Sequence, residues 1–111
     1  HALTPLNAPT WVEAARLLAE QSYKSAGDLE GRLQTAFRRV VCRTATPADI
    51  ARLKRAYERQ AEIFARNPAQ AEALLQVGAA PRDGSILMAE YAPLTAVCLA
   101  ILNLDEALTR E

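Results

Sequence analysis

The chain has 111 residues, half of them apolar, and thirteen basic residues balance thirteen acidic ones. That is enough for one domain with a buried core and too little for two, and the composition is not that of a disordered chain. Zero net charge argues against a dedicated nucleic-acid binder, which carries a basic surplus, and no apolar run approaches the roughly 20 residues a membrane span needs.

The chain opens on His rather than Met, so it is expected to be a processed product or a piece of a longer protein. His1 is the only histidine, so every His-based catalytic or metal constellation is excluded unless His1 itself is the member. Two Cys do not build a zinc site of the usual kind. Residues 1–10 carry neither the basic nor the apolar region of a signal peptide, and the C-terminal residues carry no retention or lipidation signal.

Apolar positions recur at spacings of three and four, β-branched residues are sparse, and Ala is abundant, which is helical patterning throughout. The first helix is expected over 10–24, with Pro9 in the first turn and Asn7 or Thr10 as cap. Its apolar stripe reads Trp11, Ala14, Ala15 and Leu18, with Val12 and Ala19 beside it. Gly27 ends it, and Asp28 caps a second helix reaching about Arg43, with Leu29, Leu33, Ala36, Phe37, Val40 and Val41 on one face. Gly31 in its first turn weakens it slightly.

Thr46-Pro47-Ala48-Asp49 is the strongest local signal: Thr46 caps, Pro47 takes the first helical position, and Asp49 suits the helix dipole. The third helix then runs to about Arg66 on a stripe of Ile50, Leu53, Tyr57, Ala61 and Phe64. Asn67-Pro68 repeats the device for a short fourth helix, about 69–76, closed by Gly78. A loop over 78–85 leads to a last helix, about 85–109, which Pro93 is expected to break or kink. Residues 94–104 are apolar nearly all round, which marks the buried centre of a bundle.

Residues 32–66 hold nine of the basic residues and only three acids, a local balance of +6. One reading is a face for an anionic partner, with Arg39, Arg43, Arg52, Arg55 and Arg59 as its candidate residues. The favoured reading is the solvated back of two amphipathic helices, with Glu62 and Arg66 pairing along the surface. No aromatic residue interleaves with the arginines, against single-stranded nucleic-acid binding. A helix-turn-helix is not indicated, because the turn between the two helices has no Gly and such helix pairs are common.

Cys42 and Cys98 both adjoin apolar residues, and two buried thiols are the expectation, with a Cys42–Cys98 disulfide as the less favoured alternative. A catalytic thiol lacks a His partner. Asp105 and Glu106 are paired carboxylates, but neighbours on a helix do not face each other. Asn103 is expected to make a buried hydrogen bond to the backbone, and Trp11 to anchor the core. There is no Gly-rich phosphate loop, no Ser/His/Asp set and no Cys-x-x-Cys.

Four motifs stand in a familiar order. Leu6-Asn7-Ala8-Pro9-Thr10-Trp11-Val12-Glu13-Ala14-Ala15 resembles the LNDPTFVEAA stretch of a large planctomycete family, cytochrome-c-domain proteins that end in a domain of unknown function. Ala36-Phe37-Arg38-Arg39-Val40-Val41-Cys42-Arg43 with Thr46-Pro47 is similar to its AFRLVLGR and PTPEEL segments. Val77-Gly78 with Pro81-Arg82-Asp83 resembles its VGEAPRD loop, and Ala89-Glu90, Thr95-Ala96-Val97 and Leu102-Asn103-Leu104-Asp105-Glu106 resemble its AELAAWTAV and LLNLDEF ending. The chain departs from the pattern at Ala8, at Pro93-Leu94 and at Ala107, where the family has Asp, Ala-Trp and Phe.

The resemblance implies a terminal helical module of a large exported protein, periplasmic or extracellular, with a haem-binding domain elsewhere in the parent chain. It supplies no catalytic residue and no cofactor for this domain. The expectation is thus a single all-α domain over residues 1–111, a bundle of four to five helices with a buried C-terminal helix. Its core is expected to contain Trp11, Leu18, Leu33, Phe37, Val40, Leu53, Tyr57, Phe64, Val97, Ile101 and Leu104. The expected role is non-enzymatic, packing on neighbouring domains or docking a protein partner, with no nucleic acid and no membrane span. The alternative is an anion- or ligand-binding domain using the Arg-rich second and third helices.

Overall fold

A computed structural model describes residues 9–109, with side chains to residue 105. His1, the Asn7 cap and Ala8 lie outside the described residues, as do the side chains of Glu106 and Ala107. Five helices follow one another: α1 (Pro9–Ser25), α2 (Leu29–Val41), α3 (Pro47–Arg66), α4 (Pro68–Leu75) and α5 (Met88–Thr109). Among the described residues there is no strand. α5 packs against each of the other four, so the expected central helix is the axis of the fold. The radius of gyration, 13.3 Å, is that of a close-packed domain of this length. No helix is long and apolar enough to cross a membrane among the described residues.

The turns are built by specific residues. Thr46 and Asp49 close a reciprocal capping box: Asp49 N donates to Thr46 Oγ1 at 3.1 Å and Thr46 N donates to Asp49 Oδ2 at 2.9 Å. These bonds and the Arg43 guanidinium hold the Asp49 carboxyl down at about 2. The Gln34 side chain locks the α2–α3 turn by accepting from Ala45 N at 2.7 Å and donating to Ala45 O at 3.3 Å. Gly31 is no mere weakness in α2. A Cβ there would meet Ala26 Cβ at 2.7 Å and Asp28 Oδ1 at 2.8 Å, so the tight α1–α2 turn requires glycine.

The buried face of α1 is Val12, Ala15, Arg16, Ala19 and Ser22, rotated from the expected stripe. Trp11 is half-buried and Leu18 only packs against the core edge. Arg16 and Ser22 are polar and hide the true 3-1-3-3 pattern from a reading of apolar positions. The small residues Ala15, Ala19 and Ser22 bring α1 up to α5, whose own buried face includes Ala92 and Thr95.

Leu33, Ala36 and Phe37 of α2 and Leu94, Val97, Cys98 and Ile101 of α5 form the centre of the core. α3 buries no residue completely: Leu53, Tyr57 and Phe64 are half-buried and cover the core from outside, as Val40 does from α2. Leu104 is 50% exposed and Asn103 is exposed, since the face of α5 that meets the core continues through Ile101 and Leu102 instead, so neither the core position nor the buried amide expected there is found.

α5 is continuous through Pro93. The bond that proline cannot make would reach Ala89, an exposed residue in the first turn of the helix, where water can take it over. The Pro93 ring itself is buried.

Both thiols are free. Cys98 is fully buried, and burial pushes its thiol well above the ordinary range. Cys42 is exposed, contrary to the buried position expected: it is the C-cap of α2, held in the left-handed conformation (φ 65°), with its N–H on Arg38 O at 2.9 Å. A residue that ends a helix in this way turns its side chain off the core face.

A carboxylate placed on the buried face of α5 should therefore destroy the fold, and one polar change at its emerging end should not. Ile101→Asp is expected to abolish cooperative thermal unfolding followed by circular dichroism. Leu104→Ser, by contrast, should change stability by less than about 0.5 kcal/mol.

Candidate functional site

The charged residues of α1 converge on the segment that joins α4 to α5. Glu13, Arg16, Glu20 and Lys24 follow a 3-4-4 spacing that places them along one side of the helix. Arg16 is 1% exposed. Its Nε donates to Val77 O at 3.2 Å, its Nη2 to Ala80 O at 2.6 Å, and its Nη1 approaches Pro81 O at 3.4 Å and Tyr91 Oη at 3.3 Å. Glu20 Oε2 stands 3.3 Å from the same Nη1, accepts from Asp83 N at 3.2 Å and accepts from the Tyr91 hydroxyl.

Glu13 Oε2 accepts from Ala80 N at 2.7 Å, and Lys24 Nζ pairs with Asp83 Oδ2 at 2.6 Å. Gly78 sits directly on Glu13: its φ is +97°, and a Cβ there would lie 2.5 Å from the Glu13 side chain. Backbone conformation and close approach both demand glycine at this point. Burial and the Glu20 hydrogen bond together push the Tyr91 phenol up to about 12, so it stays a donor to Glu20 at neutral pH.

This network is a clamp, and its chemistry is structural. A buried guanidinium is tolerated only when its donors are satisfied, and here three loop carbonyls, a carboxylate and a phenol satisfy it. No reading of single residues anticipated it. The signal was the charged 3-4-4 series running through an apolar helix, opposite the Val77-Gly78 and Pro81-Arg82-Asp83 loop.

The clamped loop leads into an apolar surface. Ala61, Phe64 and Ala65 of α3, Pro68 and Ala71 of α4, and Met88 and Ala89 of α5 line a groove of about 160 Å³. Leu87, immediately before α5, is 68% exposed.

A second cavity, of about 180 Å³, lies where α1, α2, α3 and α5 meet. Tyr23, Asp28, Arg32, Tyr57 and Glu90 line it, with Gly27, Leu29 and Leu94. Tyr23 Oη donates to Glu90 Oε1 at 2.7 Å. The Arg32 guanidinium stacks 3.6 Å from the centre of the Tyr23 ring, and its Nε donates to Tyr23 O at 3.0 Å and Ala26 O at 2.9 Å. The Glu90 contact raises the Tyr23 phenol, and burial raises that of Tyr57.

The five candidate arginines of the basic block do not form one patch. Asp49 draws two of them together, Arg43 at 3.0 Å and Arg52 at 2.9 Å, and Arg43 also lies 4.9 Å from the centre of the Phe37 ring. Arg39 donates to Gln21 of α1. Arg55 and Arg59 share a shallow depression on α3 with Glu58 and Glu62, and neither makes an ion pair among the described residues. The expected Glu62–Arg66 pair is present at 3.3 Å. Asp105 is half-buried. Among the described residues no group of three or more His, Cys, Asp or Glu side chains is placed to hold a metal ion.

The chain matches no protein-family model, no curated protein and no solved structure.

Removing the clamp's centre should be costly. Arg16→Leu leaves Glu20 and three loop carbonyls without their donor and is expected to lose about 3–5 kcal/mol, read from denaturant unfolding. Amide exchange over residues 77–83 should accelerate in the same variant by more than exchange over α2.

Proposed function

We propose that this domain is a non-catalytic docking module, which presents the α3–α4–α5 groove and Leu87 to an apolar segment of another polypeptide. The observation that carries the reading is Leu87 itself. Leu87, 68% exposed, directly precedes Met88 and Ala89 of the groove, so the two together form apolar surface larger than a single exposed side chain. The Arg16 clamp supports it further, since burying a cation to hold a surface loop makes sense where the loop must present a fixed shape. The resemblance to planctomycete cytochrome-c-domain proteins supplies the setting: the terminal module of an exported protein, periplasmic or extracellular, whose haem belongs to another domain. The partner is then a neighbouring domain of that parent chain or a protein bound to it.

The test compares the isolated 111 residues with the same domain in the native species, recovered from producing cells with an antibody to α2. Amides at Leu87–Ala89 should be protected from exchange in the native species and exposed in the isolated domain. Leu87→Asp should release the partner without lowering the domain's melting temperature. A native species that is a free chain near 12 kDa, with equal exchange in both samples, would defeat the reading.

A second reading, polyanion binding, rests on Arg55 and Arg59, which are exposed and have no carboxylate partner among the described residues. It requires binding to inorganic polyphosphate that falls steeply with salt and is lost in Arg52/Arg55/Arg59→Ala. Absence of binding at low salt would end it.

A further inference from the structure

We infer that the cavity between Tyr23, Arg32, Tyr57 and Glu90 is a binding site for a small zwitterion, an ammonium and a carboxylate joined by one or two carbons. The inference is independent of the docking reading, because the cavity and the groove share no lining residue.

The lining groups leave several polar atoms unused. Arg32 commits its Nε to two backbone carbonyls at the end of α1, and its four terminal N–H groups meet only the Tyr23 hydroxyl among the described residues, which leaves donors over for a ligand. Glu90 accepts from Tyr23 with Oε1 only, which leaves Oε2. Tyr57 is half-buried against the same space, and its hydroxyl has no hydrogen bond among the described residues. Asp28 stands at the N-cap of α2, yet its side chain makes no cap bond. Cationic donors, an acceptor and a hydroxyl that works both ways thus meet at one cavity.

The charge pattern then selects the ligand. Arg32 fixes a carboxylate by paired N–H donors, and its stacking on Tyr23 at 3.6 Å keeps the guanidinium plane in place for it. Glu90, with Asp28 at the rim, accepts an ammonium. A lone anion would leave Glu90 facing it, and a lone cation would leave Arg32 facing it, so a molecule with both charges fits best. About 180 Å³ corresponds to some six water volumes. That is below the usual range for drug-sized ligands and suits a molecule of the size of glycine to valine.

The site is assembled rather than incidental in one further respect. Its four principal side chains come from four different helices, and the tight turn that brings Asp28 and Arg32 to Tyr23 depends on Gly31. The Arg32–Tyr23 carbonyl bond and the Tyr23–Glu90 bond tie α2 and α5 to the end of α1.

The experiment titrates the 111-residue domain with glycine, L-alanine and β-alanine and follows tyrosine ring signals and the Arg32 Nε–H by NMR. Methylammonium and acetate serve as single-charge controls. Tyr57, Tyr23 and Arg32 signals should move with the zwitterions and not with either control. Tyr57→Phe and Glu90→Gln, which retain the Tyr23 contact through Oε1 in the second case, should each weaken binding about tenfold while leaving the melting temperature unchanged. The inference is overturned if no site-specific shift occurs at about ten times a millimolar dissociation constant. It is equally overturned if either single-charge control binds as well as the amino acids, or if both variants bind like the parent.

Discussion

The burial of Arg16 is the constraint around which the rest of the domain is arranged. A guanidinium removed from water has to find acceptors for its donors or the fold loses more than it gains. Three of those acceptors are backbone carbonyls of the 77–81 segment, which has no helix or sheet to satisfy them. The two deficits cancel. The loop, which would otherwise be a mobile crossover between α4 and α5, becomes an ordered element, and α1 is fixed in register against α5 through Tyr91. Glycine at position 78 follows from the same constraint, because Glu13 occupies the space any side chain would need.

That arrangement explains how α5 is the axis of the bundle although it contains a proline and ends outside the core. Its buried face is secured at two levels, by Tyr91 in the Arg16 network and by Leu94, Val97 and Ile101 in the apolar centre. Pro93 lies between them, in a turn whose helical bond is the only one it removes. Beyond Ile101 the helix keeps Leu102 against the core while Leu104, on another side, is half exposed.

Helix number, order and the identity of the central helix were legible in the sequence, since each depends on local periodicity and caps. Thr46-Pro47-Ala48-Asp49 is a capping box because of its own atoms, and no tertiary context could change it much. The rotation of α1 was not legible, because its inward face includes Arg16 and Ser22, and polarity is the very signal used to assign a residue outward. Cys42 failed for a different reason: it looked like the end of an apolar run, and only the left-handed cap conformation turns it out. The basic block of residues 32–66 was visible as composition, but composition does not say that Asp49 would pair with both Arg43 and Arg52 at the surface while Arg39 turned to α1.

Functional groups were harder to read for a related physical reason. Tyr23, Arg32, Tyr57 and Glu90 come from four helices and share no spacing, so only the fold makes them neighbours. Tyr57 belonged to an apolar stripe and Arg32 to a basic run, and each was correctly placed within its own helix. What the periodicity of one helix cannot express is that half-burial leaves a phenol and a guanidinium with unused polar atoms on a common cavity. A domain of this size has little interior to spare, and an all-apolar filling of that corner would have stabilised it more simply. Arg32, Glu90 and two phenols line that corner instead, and the zwitterion inference rests on them.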